Sequence, residues 1–232
     1  MRLPRQLPVL SVLLSGWLCS MPSPRMLAAG EQHDLDRLYS YFVDNLAGRR
    51  LEMTTTAVIA GGKVESEFHR RRTFTNLMKS ANGFAFDVVA VIAQKNYDRN
   101  EAGERLPNPP QIKDRVVVVR YKIKKSVSSG ELIGIAEIVL NTEQDPTAGA
   151  KSVRVHLAEE KLIVKTKDVL YADHFAPSGG RKPGVGEITE EYWTVQGKLR
   201  GKTTDKSVEV DPRTLELVGE PTVNVAEERE AK

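Results

Sequence analysis

The chain has 232 residues, 40% hydrophobic and 28% charged, with ordinary glycine and proline usage, which excludes collagen-like and low-complexity architectures. A single cysteine excludes a disulfide framework, and no Cys/His cluster offers a structural zinc site. Three arginines and no acid fall in residues 1–30; removing them from the 34 basic residues leaves 31 against 31 acids, a neutral remainder that argues against nucleic acid as a partner.

The first thirty residues carry the marks of an export signal. Arg2 and Arg5 form a positive n-region, Leu7 to Trp17 an apolar h-region, and Ala28-Ala29-Gly30 a small-residue cleavage site. The apolar run is too short, and too interrupted by Ser11, Ser15 and Gly16, for the roughly 20 residues of a membrane span. A retained anchor fits less well. So does a lipoprotein attached through Cys19, since Trp17 and Leu18 precede the cysteine where small residues belong. The expected mature product is secreted, periplasmic or otherwise of the cell envelope, with no stable transmembrane span after processing. It divides into one β-rich domain over 31–225 and a charged, frayed tail over 226–232.

Helical periodicity occurs once. Leu35, Leu38, Tyr39, Phe42, Val43 and Leu46 repeat at i, i+3, i+4 and i+7, which predicts a helix over 34–47 with Asp34 as N-cap and Gly48 as a left-handed C-cap. Its polar face is not basic, so it is not a membrane-surface helix. Its stripe either plugs one end of a barrel or covers one face of a sheet.

Past residue 50 the period becomes two. Leu51 to Ile59 alternates up to the Gly61-Gly62 turn, and Val64 to His69 returns. Phe84 to Ile92 follows the turn at 79–83, then Arg115 to Lys125, Glu131 to Leu140, Ser152 to Ala158 and Leu162 to Tyr171. Ile188 to Leu199, Lys206 to Val210 and Thr214 to Val218 complete the series. About nine or ten strands joined by short turns, with no crossover helices, predict a mainly β fold: an antiparallel meander curled into a barrel or a two-layer sheet, led by one helix. In strand count and leading helix the pattern resembles lipocalin-like and periplasmic lipoprotein-carrier barrels. Three polar loops, 99–114, 141–151 and 176–186, interrupt the meander.

Chemistry is sparse. No nucleotide, nucleophile-elbow or zinc-protease motif is present, so no catalytic residue, metal ligand or cofactor is assigned. His156 and His174 lie on neighbouring predicted strands but about 30 Å apart, too far for a shared site. Glu187, Glu190 and Glu191 are candidates for paired carboxylates, although Glu-rich strand edges are commonly solvated charges. In the last glycine-rich loop, Gly179, Gly180, Arg181 and Lys182 combine free N–H groups with two cations, an anion-binding candidate. The run Arg70-Arg71-Arg72 is the most unusual local feature. If Arg71 faces outward with His69, then Arg70 and Arg72 face inward with Phe68 and Phe74, and a buried arginine must be paired or wet. The expected partners are Glu65, Glu67 or Asp87, or else a ligand head group. Trp193, beside Tyr192, is a core aromatic or a ligand-stacking residue.

Arg70, Arg72, Phe68 and Trp193 are therefore the candidate ligand contacts of an exported, non-enzymatic barrel that binds a small hydrophobic or lipid molecule. The alternatives are an envelope or extracellular interaction module with a filled core, and a hydrolase or isomerase acting at the barrel mouth.

Overall fold

The apolar stripe of the leading helix decides where that helix goes. In a computed structural model that describes residues 24–59, 63–124, 132–142, 149–175 and 181–231, Leu35, Leu38, Phe42 and Leu46 are all buried. Helix α1 spans Pro24–Asn45, beginning ten residues before the predicted start. Leu27, Ala28, Ala29, Glu31 and Gln32 are good helix formers, and Pro24 occupies the first turn, where its missing N–H is harmless. Asp34, expected as N-cap, thus lies inside the helix. The exit follows expectation: Gly48 has φ +74°, and its N–H donates to the Phe74 carbonyl at 2.8 Å, steering the chain from helix into sheet.

Ten strands follow: β1 Arg50–Ile59, β2 Val64–Ser80, β3 Gly83–Asp98, β4 Gln111–Lys124, β5 Leu132–Asn141, β6 Lys151–Ala158, β7 Lys161–Phe175, β8 Arg181–Val195, β9 Lys198–Val210 and β10 Leu217–Glu230. All pair antiparallel with their chain neighbours, and β1 meets β10, so the meander closes into a barrel rather than splitting into two layers. Alternation sets the two faces. Glu52, Arg71, Lys165 and Lys202 face outward, alternating with the buried Leu51, Arg72, Val164 and Gly201.

α1 plugs the end of the barrel that holds the β2–β3, β6–β7 and β8–β9 turns. Lys79 beside the first turn binds Asp36 at 3.0 Å, the Tyr41 hydroxyl donates to the Glu160 carbonyl at 2.7 Å, and Arg49 Nη2 donates to the Gly197 carbonyl at 2.6 Å. Beneath the helix the core is aromatic: Phe42 lies 4.3 Å from Phe86 and 6.0 Å from Phe74, ring centre to centre.

Strand boundaries differ from the sequence pattern where inward positions are small or polar. The predicted strand 188–199 contains a turn, since Gln196 and Gly197 both have positive φ and β9 starts at Lys198. Along β9 the inward positions are Leu199, Gly201, Thr203, Asp205, Ser207 and Glu209, which carry almost no apolar signal. The tail expected to fray is instead part of β10, which pairs with β9 as far as Arg229. Similarly, Arg181 to Gly186 belong to β8 rather than to a loop. The long loop after β3 is pinned in its first half: Arg105 Nη2 reaches Glu65 at 2.6 Å and Glu67 at 2.7 Å, with its guanidinium 3.9 Å over the Tyr97 ring.

Closure is short. β1 pairs with β10 only through Leu51–Glu230 and Glu52–Arg229, reinforced by Arg49 on Glu230 at 2.6 Å.

Candidate functional site

Inside the barrel a polar layer separates the aromatic plug from an open cup. Arg72 projects inward from β2 and is 4% exposed. Its Nε donates to both oxygens of Glu228, at 3.0 and 2.8 Å, and its Nη2 donates to the same carboxylate. Its Nη1 donates to Glu190 and, at 2.8 Å, to the Tyr192 hydroxyl. The Tyr192 hydroxyl in turn donates a hydrogen bond to Glu190 at 3.0 Å, Tyr121 donates to the other Glu190 oxygen at 2.9 Å, and Arg70 Nε donates to Glu228 at 2.9 Å. Two arginines thus face two carboxylates across the barrel, every charge is matched, and each Glu190 oxygen is engaged.

The protonation states follow from this packing. Burial works to raise the Glu190 pKa, yet Arg72 and the hydrogen bonds from Tyr121 and Tyr192 outweigh it and hold the carboxyl below its ordinary value. For Tyr121 and Tyr192, burial pushes the hydroxyls well above theirs, and the Glu190 charge adds to the effect. Burial opposes the charge on Arg72, but Tyr192, Glu190 and Glu228 more than compensate. Arg70, Arg72, Glu190 and Glu228 thus form a charge-balanced floor tied together by hydrogen bonds.

Room for Glu228 comes from Gly201: a Cβ there would lie 2.8 Å from Leu51 Cδ1 and 3.1 Å from Glu228 Oε2. Above the floor lies a cavity of about 370 Å³, within the range of small-molecule sites. Val88, Ile92, Val117, Ile138, Val169 and Ile188 form its aliphatic walls, with Arg115 and Lys151 toward the loop end. Along β4 the inward residues climb from Tyr121 through Val119 and Val117 to Arg115, a depth of about 20 Å.

No protein-family model matches this chain, and neither a curated protein nor a solved structure does. The reading of the site therefore stands on its own geometry.

Arg70 and Arg72 do face inward together and do line the cavity, as the alternation requires. Their partners are Glu228 and Glu190 rather than Glu65, Glu67 or Asp87. Glu65 and Glu67 are engaged by Arg105, and Asp87 by Arg120 at 2.8 Å. Phe68, on the same side of β2, is half-buried and outside the cavity lining. Trp193 is separated from the cavity by the sheet: it faces away from Tyr192, with Lys161 5.1 Å over its ring. Gly179 and Gly180 lie outside the described residues. Arg181 begins β8, and Lys182 binds the buried carboxylate of Glu209 at 2.5 Å, so it is not held ready for an anion. Among the described residues no group of three His, Cys, Asp or Glu side chains converges for a metal.

Glu190, named among the carboxylate candidates but read as a solvated charge, is buried instead, and Tyr121 and Glu228 are residues that sequence reasoning missed. Glu190 and Tyr121 sit at inward positions of otherwise apolar strands, Ile188-Glu190-Tyr192 and Val117-Val119-Tyr121, and a strict period-two reading would have placed them inside. Nothing in the charged stretch around Glu228 distinguishes it from its neighbours.

Proposed function

We propose that this protein is an exported, non-enzymatic carrier or receptor that holds one small aliphatic or lipid-like molecule in the barrel cup. The observation that carries this reading is the cavity: about 370 Å³ left unfilled between aliphatic walls, in a barrel whose other half is filled by the phenylalanines and leucines packed under α1. A filled interior would favour the interaction-module alternative, and a floor of unsatisfied titratable groups would favour an enzyme. The predominantly aliphatic lining disfavours a strongly hydrated ligand, because its few polar side chains replace only part of the lost water contacts. The floor is electrically balanced, so an anionic head group gains little there. Arg115 and Lys151 give the loop end more cations than carboxylates among the lining residues, which supports a ligand held with its head group there and its tail down.

Mass spectrometry of an organic extract of the purified protein tests the proposal directly, with a co-purifying lipid as the expected result. A fluorescent long-chain carboxylate titrated into the delipidated protein provides the second measurement. One saturable site is expected, weakened at least several-fold in Lys151→Glu. An empty extract together with no saturable binding refutes the reading.

A further inference from the structure

Outside the cavity, the strongest unexplained feature is the free edge of β1. The Arg50 carbonyl accepts from the N–H of Ala231, just past β10, at 3.0 Å, whereas the Arg49 carbonyl accepts from Phe74 on β2. Backbone groups alternate sides along a strand, so the N–H and C=O groups of Arg50, Glu52, Thr54, Thr56 and Val58 all point toward the β10 side. Pairing with β10 stops at Glu52. The six groups of Thr54, Thr56 and Val58 consequently face the seam beyond the end of the β1–β10 ladder, and Thr54 and Thr56 are exposed.

The two sides of the seam differ in how they guard themselves. β10 carries Glu220, Pro221 and Glu227 and shifts register between Val218 and Thr222, devices that keep an edge strand from pairing. The seven residues Met53 to Ile59 of β1 (MTTTAVI) include no charge, no proline and no glycine, and all but Met53 and Ala57 are β-branched. An edge of that kind left open is a template for another strand.

We infer that β1 is a dimerisation edge that pairs antiparallel with β1 of a second copy of this chain. The uncharged stretch is self-complementary. Centred on Thr56, the pairing sets Thr56 against Thr56 and Thr54 against Val58 on a two-fold axis, with all three residues in hydrogen-bonding positions and Glu52 outside the paired stretch. No like charges oppose one another, and the contact is the same on both subunits. This inference is independent of what the cavity holds.

Sedimentation of the full chain over a range of concentrations is expected to show a mass that doubles from that of one chain. Thr56→Pro removes an N–H that faces the seam, so it is expected to abolish the dimer while leaving Tm unchanged at concentrations where the parent chain is itself monomeric. Thr55→Pro breaks the ladder to β2 and should lower Tm, which shows that the assay detects strand damage. Position 56 gives a sharper test, because hydrogen-bonded antiparallel partners lie about 5.5 Å apart, within disulfide range. In a Cys19→Ser background, Thr56→Cys is expected to oxidise to a linked dimer, while Thr54→Cys is not. A chain that stays monomeric at every concentration overturns the inference. So does a dimer that survives Thr56→Pro, or a Thr56→Cys, Val225→Cys variant that forms only an intramolecular bridge, which would show that β1 closes on β10 instead.

Discussion

Replacing Glu228 with glutamine changes almost no volume and removes one charge from a cluster in which Arg70 and Arg72 are balanced by Glu190 and Glu228. The Glu228 side chain has no solvent exposure and Arg72 has 4%, so the freed positive charge cannot be hydrated without opening the barrel. Breaking a buried pair in this way costs about 3–5 kcal/mol. At a urea dependence of about 2 kcal/mol per molar, the unfolding midpoint falls by about 2 M. Urea titration followed by tyrosine and tryptophan fluorescence measures this. If imbalance is the cause, adding Arg70→Gln restores neutrality, and the double variant should be more stable than the sum of the two single losses. A midpoint shift under about 0.5 M for Glu228→Gln, or strict additivity with Arg70→Gln, would refute the reasoning.

Other consequences are open to measurement. Glu190 and Glu230 both have pKa values held below the ordinary 4.5, Glu190 despite burial and Glu230 through the hydrogen bond from Arg49. Their stabilisation is complete above the unfolded-state value and is lost as pH falls through the folded values. Near-UV circular dichroism should therefore be flat from neutrality to about pH 5 and collapse in acid below about pH 4. Phe42→Ala empties the centre of the plug and should cost about 3–5 kcal/mol in denaturant titrations, without changing strand content in the far-UV spectrum. Ala90→Phe, on the cavity wall away from the aromatic plug, should lower binding of the fluorescent carboxylate at least tenfold while leaving Tm within a few degrees; unchanged binding would place the ligand elsewhere.

The barrel and its plug were legible because both obey a period. Six apolar residues from Leu35 to Leu46 fix the helix, β1 and the first half of β2 alternate, and the continuous apolar runs of β3 to β5 mark strands without defining their faces. β9 and β10 were blurred because a barrel interior need not be apolar: Thr203, Ser207 and Glu209 face inward where the floor and the far wall are polar. The same fact hid half of the site. Alternation requires Arg70 and Arg72 to point inward, but the identity of their partners depends on strand order and stagger around the barrel, which bring Glu190 and Glu228 within reach from 118 and 156 residues away. Local sequence contains no record of such distances. The nearest carboxylates in the chain, Glu65 and Glu67, are on the wrong face.

The span between Arg72 and Glu228 also shapes how the chain comes into being. The hairpins from β2 to β8 can form from neighbouring residues as they are made, but an arginine already enclosed among them stays half-neutralised until the final strand arrives. Arg49 waits longer still for Glu230, 181 residues later. A chain lacking β10 would leave one apolar face of the sheet wet and two margins unpaired, a form open to proteases and to clumping. The last turns of synthesis therefore act as a latch, and shortening the chain by the few residues after Glu227 should be far more damaging than their charged, unremarkable composition suggests.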